Sequence, residues 1–120
     1  MKIIVLKFGG TSVRSILRIK KVAKIIKSYS KKYKVIVLSS AMSGTTNKLV
    51  NMSQKISKNF PDHEYDTLVS AGEQISCSLL AGQLLTNGLK SRSWMAWQIP
   101  ILTEGKHKYS RIKYINKNKV

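Results

Sequence analysis

A lysine, two glycines and two hydroxyl residues follow the first apolar segment of the chain. The run Lys7-Phe8-Gly9-Gly10-Thr11-Ser12-Val13 comes directly after Ile3-Ile4-Val5-Leu6 and before a long amphipathic segment. This order predicts a strand, a glycine turn and a helix, with backbone N–H groups and the positive end of the helix dipole directed at one point. Adjacent glycines would let the backbone approach an anion and adopt positive φ, and Lys7 adds a full charge. These residues are suited to binding phosphate.

The spacing differs from that of both common phosphate-binding loops. A P-loop places its lysine after the glycines, and the dinucleotide fingerprint requires G-x-G-x-x-G, whereas Lys7 precedes Gly9 and Gly10. The same residues also suit an ordinary strand-to-helix turn with a solvated lysine, in which Thr11 or Ser12 caps the helix. The run alone leaves both interpretations open.

A second loop, Ser39–Asn47, is rich in small hydroxyl residues and follows a second apolar run at 34–40. Loops at the carboxyl ends of parallel strands meet at one crevice, so we expect 9–12 and 41–47 to line the same cleft. Hydroxyl groups there could hydrogen-bond a polar substrate. The alternative is helix capping by Thr46 or Asn47.

Glu73 is one of only five acidic residues, and it lies in an apolar helical context at Ser70–Ser76. A charge is costly in such surroundings unless it is paired. Near a phosphate-binding cleft, this carboxylate could bind an amino group. The alternative is a glutamate that faces solvent on the polar side of its helix.

Apolar periodicity indicates an alternation of strands and helices. The chain is predicted to form strands at 2–8 and 34–40, a weak third strand at 90–97, and helices at 12–31 and 47–58. Residues 63–87 are predicted to form one long helix or a pair of helices that ends at a C-cap at Asn87-Gly88. The pattern predicts an α/β fold with a mostly parallel sheet, in which the first two strands are adjacent, parallel and buried. Three strands make a narrow sheet, which suggests part of a larger domain.

The chain of 120 residues has 22 Lys+Arg against 5 Asp+Glu, a net charge of +17. Such a field attracts anions without identifying them, and a lysine-rich compositional bias explains it equally. The sequence lacks zinc-ligand spacing and the interleaved aromatic residues of single-strand binders, so we do not expect nucleic-acid binding to be its function. The single Cys77 is expected to be a buried thiol, which is consistent with a cytoplasmic location. No apolar run is long enough to cross a bilayer or resembles a signal peptide.

Taken in order, these motifs resemble the N-terminal part of aspartate kinases, within the amino-acid kinase superfamily. The strongest matches are Lys7–Val13, Ser39–Asn47 and Gly72–Ser76, and weaker ones are Gly88, Trp97-Gln98, Ile101-Leu102-Thr103 and Arg111-Ile112. The resemblance spans nearly the whole chain and implies part of a three-layer α/β/α fold.

The resemblance also implies roles for individual residues. It implies that the ATP phosphates and the transferred phosphoryl group are held by Lys7, Phe8, Gly9, Gly10 and Ser12. Among these, Lys7 is the implied catalytic residue. The residues similar to substrate-binding positions are Ser40, Thr46 and Glu73, with Glu73 at the α-amino group. The implied reaction is phosphorylation of the aspartate side-chain carboxylate by MgATP, the first step towards lysine, threonine and methionine, and no metal ligand is assigned in this chain.

Segments that carry the adenine pocket and further substrate-binding residues in this family have no counterpart in the chain. We therefore expect a truncated or split kinase domain at 1–105, with a basic tail at 106–120 that could hold a residual strand. Its partners would be L-aspartate, ATP and a complementing C-terminal chain or a second copy, with no membrane. The alternatives are a non-catalytic remnant that binds phosphate or nucleotide weakly and a small basic nucleic-acid-binding protein.

Overall fold

The computed structural model describes residues 1–116 and 118, and these residues form four strands and three α-helices. In chain order the elements are β1 (Ile3–Phe8), α1 (Ile16–Ser30), β2 (Lys34–Ser39), α2 (Thr45–Ile56), α3 (Asp62–Thr86), β3 (Ile101–Glu104) and β4 (Arg111–Ile115). The strands form two separate sheets of two strands each, β1–β2 and β3–β4.

The first sheet is the parallel pair that the sequence predicts. Its register runs from Ile3 opposite Lys34 to Phe8 opposite Ser39, and α1 connects the two strands. Both carboxyl ends therefore lie at one edge, from which the loops at 9–12 and 41–44 emerge.

The core lies between one face of this sheet and the helices. Its buried members are Val13, Ile19, Val22, Ala23, Ile26, Leu80 and Leu84, and partly buried side chains packed against them include Leu6, Phe8, Val35 and Val37. Alternate strand residues point to one face, so every second residue of β1 and β2 reaches this core. The expected packing of the first helix across the sheet is confirmed.

The other face of the parallel sheet is open. Ile3, Val5 and Leu38 are 63%, 57% and 53% exposed, respectively. The prediction that both strands are buried is wrong on this face, because among the described residues the helix layer packs on only one side. The described chain thus supplies two layers of the α/β/α arrangement.

Two helices begin at different residues from those expected. Helix α1 begins at Ile16, where the Ser15 Oγ accepts a hydrogen bond from the Arg18 N–H at 3.3 Å. The prediction that Thr11 or Ser12 caps it is wrong, because the Ser12 N–H closes a turn onto the Gly9 carbonyl at 2.9 Å. Helix α2 begins at Thr45 after Gly44 in the left-handed region, so capping by Thr46 or Asn47 is wrong too.

Helix α3 ends as the sequence predicts. Asn87 is its C-cap, Gly88 has φ +77°, and the Leu89 N–H donates to the Leu84 carbonyl at 3.0 Å. Left-handed glycine with a backward hydrogen bond is a common helix stop.

The third strand does not lie at 90–97, so that prediction is wrong. Residues around Met95 form turns instead: the Gln98 Oε1 accepts from the Met95 N–H at 2.9 Å, and the Ile101 N–H donates to the Ala96 carbonyl at 3.0 Å. The strand begins only at Ile101 and pairs with β4 as an antiparallel hairpin. The boundary drawn at 105 falls inside this hairpin, and 117, 119 and 120 of the expected tail lie outside the described residues. Among the helices described, none has the length and apolar character of a membrane span.

Candidate phosphate and substrate site

The turn after β1 lies directly against the loop after β2. The Ser43 N–H donates to the Gly10 carbonyl at 3.2 Å. A Cβ atom on Gly10 would lie 2.8 Å from the Ala41 carbonyl oxygen, closer than real Cβ contacts. Glycine is therefore required here for close approach, and the positive φ expected at Gly9 or Gly10 is wrong, since positive φ occurs at Gly44, Gly88 and Gly105 among the described glycines.

Helix α3 contacts the same point of the second loop. The Glu73 Oε1 accepts a hydrogen bond from the Ala41 N–H at 3.3 Å. A Cβ atom on Gly72 would lie 3.0 Å from the Ala41 Cβ, so a glycine allows the helix to approach this closely. Glu73 is half-buried, and the alternative of a fully solvent-facing glutamate is wrong.

A buried serine connects α3 to the end of β2. The Ser76 Oγ donates to the Ser40 carbonyl at 2.7 Å, and a longer contact of 3.1 Å joins it to the Glu73 carbonyl within the helix. Ser76 is fully buried. A buried hydroxyl that satisfies a loop carbonyl fixes the position of that loop relative to the helix.

Of the predicted site, Gly10 and Glu73 thus both contact Ala41, and the carbonyl of the adjacent Ser40 accepts a hydrogen bond from Ser76 of α3. Ser12 lies in the turn, and Thr46 is half-buried in the first turn of α2. Lys7 is exposed near the carboxyl end of β1 and pairs with Leu38 on the open face of the sheet, whereas its neighbour Phe8 faces the core. A single concavity around all of them stays a prediction.

Sequence reasoning missed Ala41 and did not assign a role to Gly72 or Ser76. Ala41 is 5% exposed and contacts the turn, the helix backbone and the Glu73 carboxylate. The role of Gly72 could have been inferred from the sequence, because a glycine inside a helix is destabilising and therefore suggests close packing against a neighbouring segment. The role of Ala41 could not have been inferred, since alanine is common in every kind of structure.

The only thiol of the chain lies one turn along α3 from this carboxylate, and Cys77 is half-buried, not fully buried as expected. Burial raises the pKa of Cys77, and the negative charge of Glu73 raises it further, against a smaller lowering by the hydrogen bond with Ser76. A raised pKa favours the neutral thiol, which is the less nucleophilic form. Within residues 1–116 and 118, no group of three His, Cys, Asp or Glu side chains could hold a metal ion.

A family model described as "Amino acid kinase family" matches residues 2–120. An aspartokinase of Rickettsia bellii is 43% identical over 98% of this chain and 30% of its own length. An aspartokinase of Geobacillus stearothermophilus is 46% identical over 100% of this chain and 30% of its own length. The chain thus spans about 30% of the length of the curated relatives it matches.

A solved structure has a similar fold. The crystal structure of an aspartate kinase from Synechocystis superposes with a TM-score of 0.68 at 43% identity, covering 71% of this chain and 15% of that one. The order of the motifs, the parallel pair and the family match agree, and the chain belongs to the amino acid kinase family.

Proposed function

We propose that this chain is the N-terminal portion of an aspartate kinase, which transfers the γ-phosphoryl group of ATP to the side-chain carboxylate of aspartate. The observation that carries the proposal is that the glycine turn, the second loop and α3 meet at Ala41. The glycine turn packs against the Ala41 carbonyl, and the Glu73 carboxylate accepts a hydrogen bond from the Ala41 N–H. In the reaction, the bond between the γ-phosphorus and the ADP oxygen breaks, and one forms to a carboxylate oxygen. The products are aspartyl phosphate and ADP.

The turn at 9–12, with Lys7 and Phe8 before it, is proposed to hold the ATP phosphates. A Cβ atom on Gly9 would meet nothing within 4 Å, so there is open space beside the backbone for an anion. The Ser12 N–H is used within the turn, and Ser12 would contribute its hydroxyl. Lys7, as the catalytic residue, would neutralise charge on the transferred group, since phosphoryl transfer depends on positioning and electrostatic stabilisation.

Aspartate is proposed to bind beside the second loop. One Glu73 oxygen accepts from the Ala41 N–H, and the other would accept from the substrate ammonium group. The hydroxyls of Ser40 and Thr46 would orient the substrate carboxylates. The half-buried position of Glu73 strengthens an ion pair relative to one in open water.

Mg²⁺ is proposed to enter with ATP, coordinated by the phosphates, as is usual for this ion. The cytoplasm, where ATP and a reduced Cys77 are available, is the proposed location. Because the chain spans about 30% of its relatives' length, we propose that turnover requires further polypeptide.

The test is an assay for aspartyl phosphate, trapped as the hydroxamate, with the full chain alone and mixed with the segment of the Geobacillus stearothermophilus aspartokinase beyond the region matched here. We expect little turnover from the chain alone and measurable turnover from the mixture. Lys7→Ala and Glu73→Gln should each lower the rate of the mixture by about 100-fold or more, since each removes a positioned charge. Lys55→Ala, which removes an exposed lysine at the end of α2, is the matched control.

Two results would contradict the proposal. Robust turnover by the chain alone would show that the remaining polypeptide is dispensable. Binding of ATP by the mixture, with no transfer to aspartate at any substrate concentration, would favour the non-catalytic remnant.

A further inference from the structure

Two tyrosines and several lysines surround an open groove at the end of α1. The rings of Tyr29 and Tyr33 lie 6.4 Å apart between their centroids, at an angle of 41°. These two residues line a groove of about 290 Å³ together with Ser28 and Lys32. Tyr29 is 40% exposed, so an aromatic surface is open to solvent beside a positive charge.

Backbone hydrogen bonds hold the two rings in place. The Tyr29 carbonyl accepts the N–H groups of both Lys32 and Tyr33 at 3.0 Å, so the chain makes one further turn after α1 and brings the second ring beside the first. The Ser28 hydroxyl donates to the Ile25 carbonyl at 2.7 Å. Because these carbonyls are satisfied, the end of the helix presents less of the partial negative charge that would repel an anion.

The surroundings of the groove are positively charged. Lys31, Lys32 and Lys34 are exposed. The Lys34 N–H donates to the Lys2 carbonyl at 2.9 Å, which places a fourth exposed lysine at the edge where both strands begin. Residues 1–61 contain no aspartate or glutamate, so the elements that form this edge supply no charge to neutralise the lysines.

The acidic residues of the chain lie elsewhere. The 25 residues of α3 extend over about 37 Å, and its end is bonded to α1 through the Lys27 Nζ and the Asn87 carbonyl at 2.6 Å. The acids in its first two turns are therefore distant, and Glu73 lies about 21 Å along the helix from Asn87. Glu104 pairs with Lys113 in the hairpin at 3.0 Å. Charges more than about 10 Å apart are largely screened at ordinary salt concentration.

We propose that the groove at Tyr29 and Tyr33 binds single-stranded nucleic acid. An unpaired base stacks on the tyrosine rings, and Lys31, Lys32 and Lys34 contact phosphates on either side of it. Stacking tolerates every base, because each has a π face, so the site has no sequence preference. A duplex keeps its bases stacked on one another and gains only the phosphate contacts. Three exposed lysines match several phosphates, which favours a strand over a mononucleotide.

This site is separate from the proposed kinase site. Each strand of the parallel pair is six residues long, or about 20 Å. The groove lies where the strands begin, and the turn at 9–12 lies where β1 ends. The binding of a nucleic acid strand therefore does not rest on the proposed function.

The experiment measures the binding of a fluorescein-labelled strand of about 12 thymidines to the full chain by anisotropy. Tyr29→Ala is expected to weaken binding by about tenfold or more, as the loss of a stacking side chain does. Tyr109→Ala is the matched control, because Tyr109 is 80% exposed in the hairpin turn, and it should leave the affinity unchanged.

A lysine variant keeps the test independent of the tyrosine substitution. Lys32→Ala should reduce the slope of log affinity against log salt by about 0.7, the value for one phosphate contact on a single strand. Lys55→Ala removes an exposed lysine of α2 and should leave the slope unchanged, and so should Lys7→Ala at the far edge of the sheet. Melting curves identify any variant that unfolds; if Tyr29→Ala does, Lys32→Ala decides the outcome.

Several results would overturn the proposal. These are equal binding by Tyr29→Ala and Tyr109→Ala, equal affinity for a duplex of the same length, or saturation by thymidine monophosphate with the affinity of the strand. Loss of binding in Lys7→Ala alone would instead place the strand at the glycine turn. Vesicles of phosphatidylserine and phosphatidylcholine that bind through Tyr29 more tightly than the strand does would assign the groove to a membrane surface.

Discussion

At the scale of single residues, the site depends on how little space surrounds Ala41. The turn backbone and α3 both approach it closely because Gly10 and Gly72 have no side chain. The sequence predicted a glycine turn here on the expectation that a glycine would adopt positive φ. In the structure Gly10 does not have positive φ, and glycine is required there because the backbone packs closely against Ala41. This steric requirement comes from Ala41, 31 positions further along the chain, so the residues next to Gly10 in the sequence do not indicate it.

Gly10→Ala is expected to destabilise the chain by about 1–3 kcal/mol, because the added methyl overlaps a backbone carbonyl that cannot rotate away. Urea unfolding followed by circular dichroism measures the change. Gly9→Ala is the matched control, since its Cβ meets nothing within 4 Å and should change stability by less than about 0.5 kcal/mol. Equal effects of the two substitutions would show that the contact with Ala41 is not tight.

Cys77 is expected to react slowly with a thiol reagent in the folded chain. Burial and the nearby Glu73 raise its pKa, so less thiolate is present at any given pH than in an unfolded chain, whose thiol has a pKa of about 8.5. The alkylation rate should therefore be several-fold lower than in urea and should still rise with pH where the rate of the unfolded chain has levelled off. A folded chain that reacts as fast as the unfolded one would contradict the burial of this thiol.

At the scale of elements, long periodic segments were predictable and the hairpin was not. β1, α1, β2 and α3 bury alternating or helically spaced apolar residues, so their positions follow from pattern alone. β3 and β4 are four and five residues long and largely exposed. Their place is fixed by contacts with the start of α3, which local sequence cannot encode.

Those contacts form a small ionic cluster between the hairpin turn and α3. The His107 Nδ1 lies 2.7 Å from the Asp66 Oδ2, and the Lys108 N–H donates to both oxygens of Asp66. The Lys108 Nζ lies 2.6 Å from the Asp62 Oδ1 and over the Tyr65 ring. Lys108 has φ +66°, a conformation that a non-glycine residue adopts only when its surroundings hold it there.

Asp66→Asn is expected to loosen the hairpin without unfolding the core. It removes the charge that holds His107 and Lys108, and amide exchange in 101–115 should become roughly two- to fivefold faster, the range for exposed ion pairs. Hydrogen exchange read by mass spectrometry measures this, with α1 as the internal reference. Glu64→Gln is the control, because its contact is a 3.6 Å pairing with His63; a hairpin equally loosened by both changes would rule out a specific role for Asp66.

Acid is expected to release the hairpin as well. The hydrogen bond from Lys108 lowers the pKa of Asp62 and, in turn, raises that of Lys108. A lowered carboxyl pKa gives stability that is present above its unfolded value of about 3.9 and is lost as pH falls through the folded value. Amide shifts of the hairpin, followed by NMR from neutral pH downwards, should therefore move below about pH 4. In Asp62→Asn this transition should shrink; an unchanged transition would assign it to other carboxyls.

At the scale of the whole molecule, the class of fold was predictable from the sequence, and the exposure of one face of the sheet was not. The apolar character of β1 and β2 correctly indicated strands made for a buried sheet. Ile3, Val5 and Leu38 are nevertheless exposed, because the described helices pack on the other face of the sheet, and composition carries no information about that. The net charge is likewise a property of the whole chain, because five acidic residues cannot neutralise 22 lysines and arginines. Four of the five acidic residues already pair with a histidine or a lysine.

The excess charge gives the last prediction, that the chain binds nucleic acid weakly and without sequence preference. Exposed lysines occur along α1, on α2 and in the hairpin, so only a few can contact phosphates at once. If about three phosphates are neutralised, affinity should fall about 10- to 100-fold between roughly 50 and 200 mM salt. Fluorescence anisotropy with two duplexes of equal length and unrelated sequence measures both properties, and the two affinities should agree at each salt concentration. A tight complex with one duplex only, persisting at physiological salt, would instead make nucleic-acid recognition a function of this chain.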